Sequence, residues 1–139
     1  MSTKNLTEAR KQLCHGIFVT ALEGGIGYWS SMDKYHWSKP GTEPDSFEGR
    51  VDDIDGFYAV IVDDSDGLKH RIDAAVIDRG INRLADGEAT FGGKTLNGEG
   101  RLHTLACALN GPLAADVDYD ADDADNIVQA GLFNDIVYG

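Results

Sequence analysis

The chain has few cysteines to cross-link it and no long apolar run to anchor it in a membrane. Its 139 residues include two cysteines, Cys14 and Cys107, which are too few for a disulfide framework, and we expect both to be reduced and buried. No apolar run reaches the ~18 residues of a membrane helix, and MSTKNLTEARKQL lacks the apolar middle of a signal peptide. The sequence therefore predicts a cytoplasmic protein without membrane contact.

Positive charge is scarce as well, since 12 lysines and arginines face 24 aspartates and glutamates, for a net charge of −12 at pH 7. Such a surface repels phosphate backbones, so we expect no direct binding of nucleic acid. The charge suits a partner protein with a basic surface, although acidic surfaces also serve solubility alone. At this length a single domain over 1–139 can bury a hydrophobic core without disulfides or metal ions.

The first predicted element is a helix that ends at a pair of glycines. Apolar residues recur every four positions from Ala9 to Ala21, which is typical of a helix with one buried stripe. Gly24 can end this helix with a positive φ, and Gly25 can reverse the chain. The segment thus predicts a tight corner between a helix and a strand.

After this corner the hydrophobic period changes to two. From Ile26 onward alternate residues share a face, which predicts a strand that continues toward Tyr35 and Trp37. Such a strand would place Tyr28 and Trp29 on opposite faces. Gly27, which has no side chain, would let a neighbouring backbone approach closely.

The middle of the chain predicts a hairpin and a capped helix. FYAVIV (57–62) is apolar on both faces and rich in β-formers, so we predict that it is the central strand. DDSDG (63–67) is typical of a turn, and LKHRI then pairs back as the second arm. Asp73 is a good N-cap for a helix whose inner face runs from Val76 to Leu84.

The last third of the chain predicts two more helices. A glycine-rich loop over 85–100 precedes a short helix over 102–109, which an Asn-Gly-Pro triplet stops. An aspartate-rich run at 116–125 leads into a last helix that ends at Gly139. The whole pattern predicts an α+β domain, in which a small antiparallel sheet of about three strands packs with an N-terminal helix and C-terminal helices.

No motif of catalysis or metal binding has the right spacing. GEATFGGKT is close to a phosphate-binding loop, but Gly87 lies one residue too early and no apolar strand precedes it. A calcium loop starting at Asp118 would have Asp123 where glycine is needed. The four histidines show no H-x-x-x-H or C-x-x-C partner. We therefore predict no catalytic residue, no metal and no cofactor, and a metal-dependent hydrolase built from scattered aspartates and histidines is the least favoured alternative.

Aromatic and acidic residues provide the candidate binding surfaces. The aromatic cluster between Tyr28 and Trp37 either fills the core or lines a pocket. Acidic patches at 52–55, 63–66 and 116–125 are candidate contacts for a basic partner. Within the last patch, Asp122, Asp123 and Asp125 favour the helix start through its dipole. The candidate site residues are Glu23, Gly24, Gly25, Tyr28, Trp29, Tyr35, Trp37, Asp116, Asp118 and Asp120.

Two stretches resemble a known protein family. VTALEGGIGYW (19–29) and DADDADNIVQAGLFNDIVYG (120–139) resemble the two ends of small proteins from bacteriophages and prophages of actinobacteria and gut bacteria. The family patterns are T-A-x-E-G-G-I-x-Y-W and D-A-x-x-A-D-x-I-x-Q-x-x-L-F-x-x-x-Y-G, and this chain has one residue more than the second pattern between Phe133 and Tyr138. The resemblance implies a phage-type accessory protein in the cytoplasm of the infected host, and it supplies no activity. It also suggests that the glycine corner packs against the C-terminal helix, with Glu23, Tyr28 and Gln129 as polar members.

Two classes of function follow from these observations. The favoured one is a non-catalytic accessory protein that binds a basic host protein through the acidic patches and thereby inhibits a host factor, such as a defence factor. The alternative is a protein that binds or sequesters a small ligand, such as a nucleotide-like signal stacked near Trp29 and Trp37. The net charge disfavours an anionic ligand unless cations converge locally, for which the candidates are Arg50, Arg71, Lys94 and Arg101.

Overall fold

Four α-helices and six strands occur in the residues that the computed structural model describes, which are 6–38, 53–95 and 100–138. At 94 and 95 only the backbone is described. The helices are α1 (Glu8–Gly24), α2 (Ala74–Ala85), α3 (Arg101–Leu109) and α4 (Ala121–Phe133). The strands are β1 (Ser30–His36), β2 (Tyr58–Asp63), β3 (Lys69–Asp73), β4 (Thr90–Phe91), β5 (Lys94–Thr95) and β6 (Asp135–Ile136). Short 3-10 turns lie at Ile26–Tyr28 and Ala114–Asp116.

Helix α1 confirms the predicted N-terminal helix. Thr7 caps it, because the Thr7 hydroxyl accepts a hydrogen bond from the backbone N–H of Arg10 at 3.1 Å. Ile17 and Phe18 on its apolar stripe are fully buried, and α1 packs on α2 and α4. The predicted stripe is therefore the core side of the helix.

The main sheet has the predicted three antiparallel strands, in the order β1-β2-β3. β2 is the central strand, as FYAVIV predicts, and its Ala59 and Ile61 are buried in the core. At the end of β3, the Asp73 side chain accepts the backbone N–H of Val76 at 3.1 Å and so caps α2, as predicted. The chain has the predicted α+β fold.

Helices α2 and α4 pack at close range because each presents a glycine to the backbone of the other. A Cβ atom on Gly80 would collide with the carbonyl oxygen of Ile127, and one on Gly131 would collide with that of Val76. The Arg83 guanidinium then donates to the Gly131 carbonyl oxygen at 3.1 Å. Carbonyl groups in the last turn of a helix have no hydrogen-bond donor within the helix, so Arg83 supplies a donor for the Gly131 carbonyl at the end of α4.

The last helix ends earlier than predicted. α4 stops at Phe133 because Asn134 takes a left-handed conformation with φ 54°. The chain then continues as β6, which pairs with β4 in parallel, so the prediction of a helix that reaches Gly139 is wrong. Part of the predicted glycine-rich loop is also regular structure, since β4 and β5 form a hairpin around Gly92 and Gly93, both at positive φ.

Neither glycine of the corner has a positive φ, and Gly25 is needed for packing. Gly24 is the last helical residue and does not have a positive φ, so that prediction is wrong. Gly25 has φ −106° and ψ −58°, which other residues also adopt. A Cβ atom on Gly25, however, would lie 2.7 Å from the carbonyl oxygen of Ala121 at the start of α4. The corner needs glycine because α4 approaches it closely.

A 3-10 turn replaces the predicted start of the first strand. Ile26 and Trp29 are buried whereas Gly27 and Tyr28 are exposed, and a period of three is typical of a 3-10 turn. β1 therefore begins at Ser30, and the prediction of a strand from residue 26 is wrong. The expected close approach at Gly27 is wrong too, since a Cβ atom there would meet no atom within 4 Å.

The two cysteines differ in exposure. Cys14 is buried, as predicted, and burial raises the pKa of its thiol to about 12. Cys107 is exposed, which contradicts the prediction. The physical reason is its place on α3, whose buried face carries Leu102, Leu105, Ala106 and Leu109.

Candidate functional site

Asp125 joins the glycine corner to the first turns of α4. Its buried carboxylate accepts hydrogen bonds from the Tyr28 hydroxyl (2.7 Å), Trp29 Nε1 (2.8 Å) and Gln129 Nε2 (3.0 Å). The two neighbouring aromatic residues thus reach one carboxylate, so their predicted placement on opposite faces of a strand is wrong. The expected packing of the corner against the C-terminal helix is confirmed, with Tyr28 and Gln129 as polar members. Glu23, the third expected member, is exposed.

The same cluster holds the C-terminal tail. Gln129 Oε1 accepts the backbone N–H of Tyr138 at 2.8 Å, and Gln129 Nε2 donates to the Tyr138 carbonyl oxygen at 3.0 Å. The Tyr138 ring stacks on the Trp29 indole with a centroid distance of 5.0 Å and an interplanar angle of 12°. Phe133 packs edge-on against the same indole at 5.8 Å. The two stretches that carry the family resemblance therefore meet in one cluster.

A second buried carboxylate, Asp63, anchors the Tyr138 side chain. The Tyr138 hydroxyl donates to Asp63 at 2.6 Å, and Ser65 donates its backbone N–H at 2.8 Å and its hydroxyl at 2.7 Å. Burial alone would raise the pKa of Asp63, but these hydrogen bonds outweigh it and hold the pKa below its ordinary value. In the same turn, Asp66 accepts the backbone N–H of Leu68 at 2.9 Å.

Beside this cluster lies a groove of about 750 Å³, which we call the tail groove. Its lining residues come from the corner, the first turns of α4, the β4–β5 hairpin and the tail; they are Tyr28, Phe91, Gly92, Asp122, Asp125, Asn126, Ile136, Val137 and Tyr138. Tyr28 is 59% exposed, Phe91 37% and Val137 48%. Three of the large apolar side chains that stay in contact with water thus gather at one place.

The tail groove is acidic, and none of its lining residues is a cation, although the Arg101 guanidinium is near enough to interact electrostatically with Asp122. Asp122 is exposed, and its carboxylate makes no hydrogen bond or ion pair with the described part of the chain. The residues that line the groove include no lysine, arginine or histidine. Burial, together with the hydrogen bond to Asp125, raises the pKa of Tyr28 to about 12, so its phenol is protonated at neutral pH and can donate but not act as a base.

The aspartate run divides into residues with structural partners and residues without them. Asp120 is the N-cap of α4: it accepts the Asp123 N–H at 2.9 Å, while Asp123 accepts the Asp120 N–H at 3.0 Å. Arg101 also holds Asp123 with two hydrogen bonds, one of them at 2.8 Å. The side chains of Asp116 and Asp118 are exposed and make no such contact within the described residues.

Tyr35 and Trp37 belong to a different aromatic cluster from Trp29. The Tyr35 and Trp37 rings stack at 4.6 Å, and Trp37 packs edge-on against Phe18 at 6.1 Å. Tyr35 is 58% exposed, whereas Trp29 is 3% exposed and its N–H is used by Asp125. Trp29 is therefore a core residue, and a ligand could stack on its indole only if the core opened.

The first acidic patch is largely paired. His36 Nε2 lies 3.1 Å from Asp53 Oδ2, and this contact is the main reason that the pKa of Asp53 is lowered. Lys11 binds Asp55 at 2.6 Å. Asp52 lies outside the described residues. This patch therefore offers less free negative charge than its sequence suggests.

The candidate cations for an anionic ligand also have partners. Arg71 donates to Asp73 at 3.2 Å and lies 4.3 Å from the centre of the Tyr58 ring. Arg101 is held by Asp123, as described above. Arg50 and the side chain of Lys94 lie outside the described part of the chain.

Several lining residues of the tail groove escape the sequence patterns. Asp122 and Asn126 are four residues apart on a predicted helix, so a helical projection would have placed them on one face. Phe91 and Val137 come from segments predicted as a loop and as a helix, and no linear pattern connects them. Asp125 was expected to complement the helix dipole, whereas its main partners are the Tyr28 and Trp29 side chains.

Three wider observations bear on function. Among residues 6–38, 53–95 and 100–138, no three histidine, cysteine, aspartate or glutamate side chains converge to hold a metal ion. In the same residues no helix is long and apolar enough to cross a bilayer. No protein-family model, curated protein or solved structure matches this chain. The tail groove is thus the feature from which function is best argued.

Proposed function

We propose that this protein acts by non-catalytic binding and that it takes a positively charged segment of a partner protein into the tail groove. The observation that carries the proposal is the combination of exposed apolar side chains with an unpaired carboxylate, Asp122, in one concave surface. Contiguous exposed apolar surface with a polar rim is typical of interaction sites. Lysine and arginine suit such a groove, because an apolar stem can lie along it while the cation meets the carboxylate.

Aromatic rings add to the case for a cation. Tyr28 and Phe91 both line the groove, and a cation placed over such rings is attracted by their electron-rich faces. Exposed Asp116 and Asp118 belong to the segment that leads into α4 and extend the negative charge outside the groove. The net charge of −12 would increase the rate of encounter with a basic partner.

The family resemblance extends this proposal to a biological setting. A phage-type accessory protein of the host cytoplasm would take a basic host factor as its partner, with inhibition of a defence factor as one consequence. In this chain, the residues that carry the resemblance hold the scaffold together: Gly25 lies against Ala121, and Trp29 binds Asp125. Asp122 and Asn126, which line the groove, occupy unspecified positions of the family pattern. We expect the members of the family to share the scaffold, and we expect the residues that line the tail groove to determine which partner is bound.

A small cationic molecule is the second candidate occupant. The volume of the tail groove, about 750 Å³, falls within the range of roughly 300–1,000 Å³ found for small-molecule sites. This version replaces the nucleotide-like signal stacked near Trp29 and Trp37. Trp29 is buried, the Trp37 ring is stacked on Tyr35, and the described groove side chains carry no cation for a phosphate.

Calorimetric titration with short synthetic peptides tests the proposal. A lysine–leucine peptide should bind with an affinity that falls as salt rises, and a glutamate–leucine peptide of equal length should not bind. Asp122→Asn should weaken binding about two- to fivefold, because an exposed charge pair contributes up to about 1 kcal/mol. Asp86→Asn is the matched control, since Asp86 is also exposed but lies outside the groove lining.

Each alternative result has a defined meaning. Equal weakening by Asp122→Asn and Asp86→Asn would show that only overall charge matters and would contradict the groove. Binding of free arginine amide with the affinity of the peptide, lost equally in Asp122→Asn, would replace the protein partner with the small cationic molecule. Absence of binding to either probe at low salt would contradict both versions.

A further inference from the structure

His103 and Cys107 form an accessible pair on α3 that lies outside the tail groove. The two residues are four positions apart, so their side chains share one face of the helix. Cys107 Sγ lies 3.6 Å from His103 Nε2, and Cys107 is exposed. The spacing H-x-x-x-C mixes two ligand types, so a pattern of paired histidines or paired cysteines does not reveal it.

The backbone of α2 sets the protonation of the histidine. His103 Nδ1 lies 3.0 Å from the carbonyl oxygen of Leu84, and a carbonyl can only accept, so Nδ1 carries a proton. In the neutral imidazole the lone pair is then on Nε2, which faces Cys107 Sγ. Metal-binding histidines commonly have their second ring nitrogen held in this way.

The separation of the two donor atoms matches a tetrahedral metal centre. With a zinc–sulfur bond of about 2.3 Å and a zinc–nitrogen bond of about 2.0–2.1 Å, tetrahedral geometry places sulfur and nitrogen roughly 3.6 Å apart. The observed distance between Cys107 Sγ and His103 Nε2 is 3.6 Å. The distance between the two donor atoms is therefore the one that a single tetrahedral ion needs.

The partial charges around the pair favour a bound cation. Cys107 Sγ lies 3.8 Å from the carbonyl oxygen of Ala85, the last residue of α2, and His103 faces Leu84 in the same turn. The C-terminal end of a helix carries partial negative charge, which attracts cations. The pair is thus well placed to chelate a cation.

We propose that His103 and Cys107 bind a divalent ion of the zinc type, with water in the remaining tetrahedral positions. When the ion binds, the Cys107 thiol releases its proton to solvent, and the thiolate and His103 Nε2 each donate a lone pair to the ion. Two protein ligands make this an exchangeable surface site rather than a closed structural one. The site is independent of the tail groove, so it stands or falls separately from the proposed function.

Titration with cobalt(II), a spectroscopic substitute for zinc, tests the site directly. The full chain should develop a cobalt–thiolate charge-transfer band that saturates at one equivalent per chain, and added zinc should abolish it. Cys107→Ser should lose the band, and His103→Gln should move the titration midpoint to higher cobalt concentration. Cys14→Ala, which removes the buried thiol instead, should keep the band.

Three results would overturn the site. One is the lack of a thiolate band in the wild-type chain at neutral pH. Another is a band that persists in Cys107→Ser. The third is a midpoint that does not change in His103→Gln, since the imidazole would then not be a ligand. Circular dichroism of each variant keeps these results interpretable, because Cys107 is exposed and His103 is only half-buried, so the folded spectrum should be retained.

Discussion

Two neighbouring parts of one acidic segment behave very differently. The connector at 114–119 carries Asp116 and Asp118, which are exposed and have no side-chain partner in the described part of the chain. The first turns of α4 carry Asp120, Asp123 and Asp125, which together accept hydrogen bonds from backbone, guanidinium, phenol, indole and amide donors. The residue type is the same in both parts, so the available donors decide its role.

The difference changes how a run of aspartates should be interpreted. Net charge counts all six aspartates between 116 and 125 equally, whereas the structure commits three of them to the scaffold. Asp123 and Asp125 are buried, and buried carboxylates must be hydrogen-bonded. Asp120 is exposed but caps α4, so none of the three can serve a partner without loss of stability. Asp116, Asp118 and Asp122 remain for binding, and of these Asp122 lines the tail groove.

The largest expected effect is that of Asp125→Ala. This change leaves the buried Trp29 N–H without its acceptor, although the Tyr28 hydroxyl can turn to the Tyr138 carbonyl oxygen 3.1 Å away. We expect the free energy of unfolding to fall by about 2–4 kcal/mol, measured by urea denaturation. Asp118→Ala, the control from the connector, should change it by less than about 0.5 kcal/mol. Similar losses for the two variants would remove the distinction between the two parts.

The next effect concerns the contact between the glycine corner and the start of α4. Gly25→Ala would force its new methyl group against the carbonyl oxygen of Ala121, so we expect a loss of about 1–3 kcal/mol. Gly24→Ala meets only the Ala121 side chain, at 3.3 Å, and alanine favours a helix, so its effect should be near zero. Thermal unfolding of both variants provides the comparison. A larger loss for Gly24→Ala would mean that backbone conformation, not packing, requires the glycine pair.

A smaller effect separates Asp120 from Asp116. Asp120→Ala removes the N-cap of α4 and should lower the free energy of unfolding by about 1 kcal/mol. Asp116→Ala removes an equal charge from the connector and should leave stability unchanged within about 0.5 kcal/mol. If urea unfolding shows no difference, the capping box does not contribute as its geometry suggests.

The smallest difference lies in the pH dependence of the variants. Burial would raise the pKa of Asp123, but hydrogen bonds from Arg101 and from the Asp120 N–H outweigh it and lower the pKa. A carboxyl group whose pKa is lower in the folded state than in the unfolded state stabilises the protein. This stabilisation is complete above the unfolded pKa of about 4 and is lost as the pH falls through the folded pKa. Stability should therefore be nearly constant from about pH 7 to 5 and decline below about pH 4. Asp123→Asn should make that decline shallower, and Asp118→Asn should not change it.

The fold was largely predictable from local patterns. α1, the hairpin of β2 and β3, and the Asp73 cap of α2 each depend on a periodicity or a turn signal within a short stretch. The 3-10 turn at Ile26–Tyr28 was not predictable. Over so short a segment, the hydrophobic pattern of a strand, with a period of two, cannot be distinguished from that of a 3-10 turn, with a period of three.

The candidate site was less predictable because it depends on contacts between distant segments. The sequence singles out Tyr28 and Gln129 but cannot show that Asp125 lies between them. The sequence predicts a helix for the tail because its apolar residues continue the helical period, whereas the left-handed conformation of Asn134 ends the helix. Because Ile136, Val137 and Tyr138 line the tail groove, a prediction that makes the tail helical cannot predict the groove.

A titration followed by nuclear magnetic resonance tests the central claim most directly, because it shows which of the two acidic parts a basic probe contacts. With the lysine–leucine peptide, the account predicts that backbone amide signals of Phe91, Asn126 and Val137 shift first and most strongly. Signals of Asp116 and Asp118 should shift little, and Asp122→Asn should reduce the groove shifts. Shifts confined to the connector, or spread evenly over all exposed aspartates, would contradict the account.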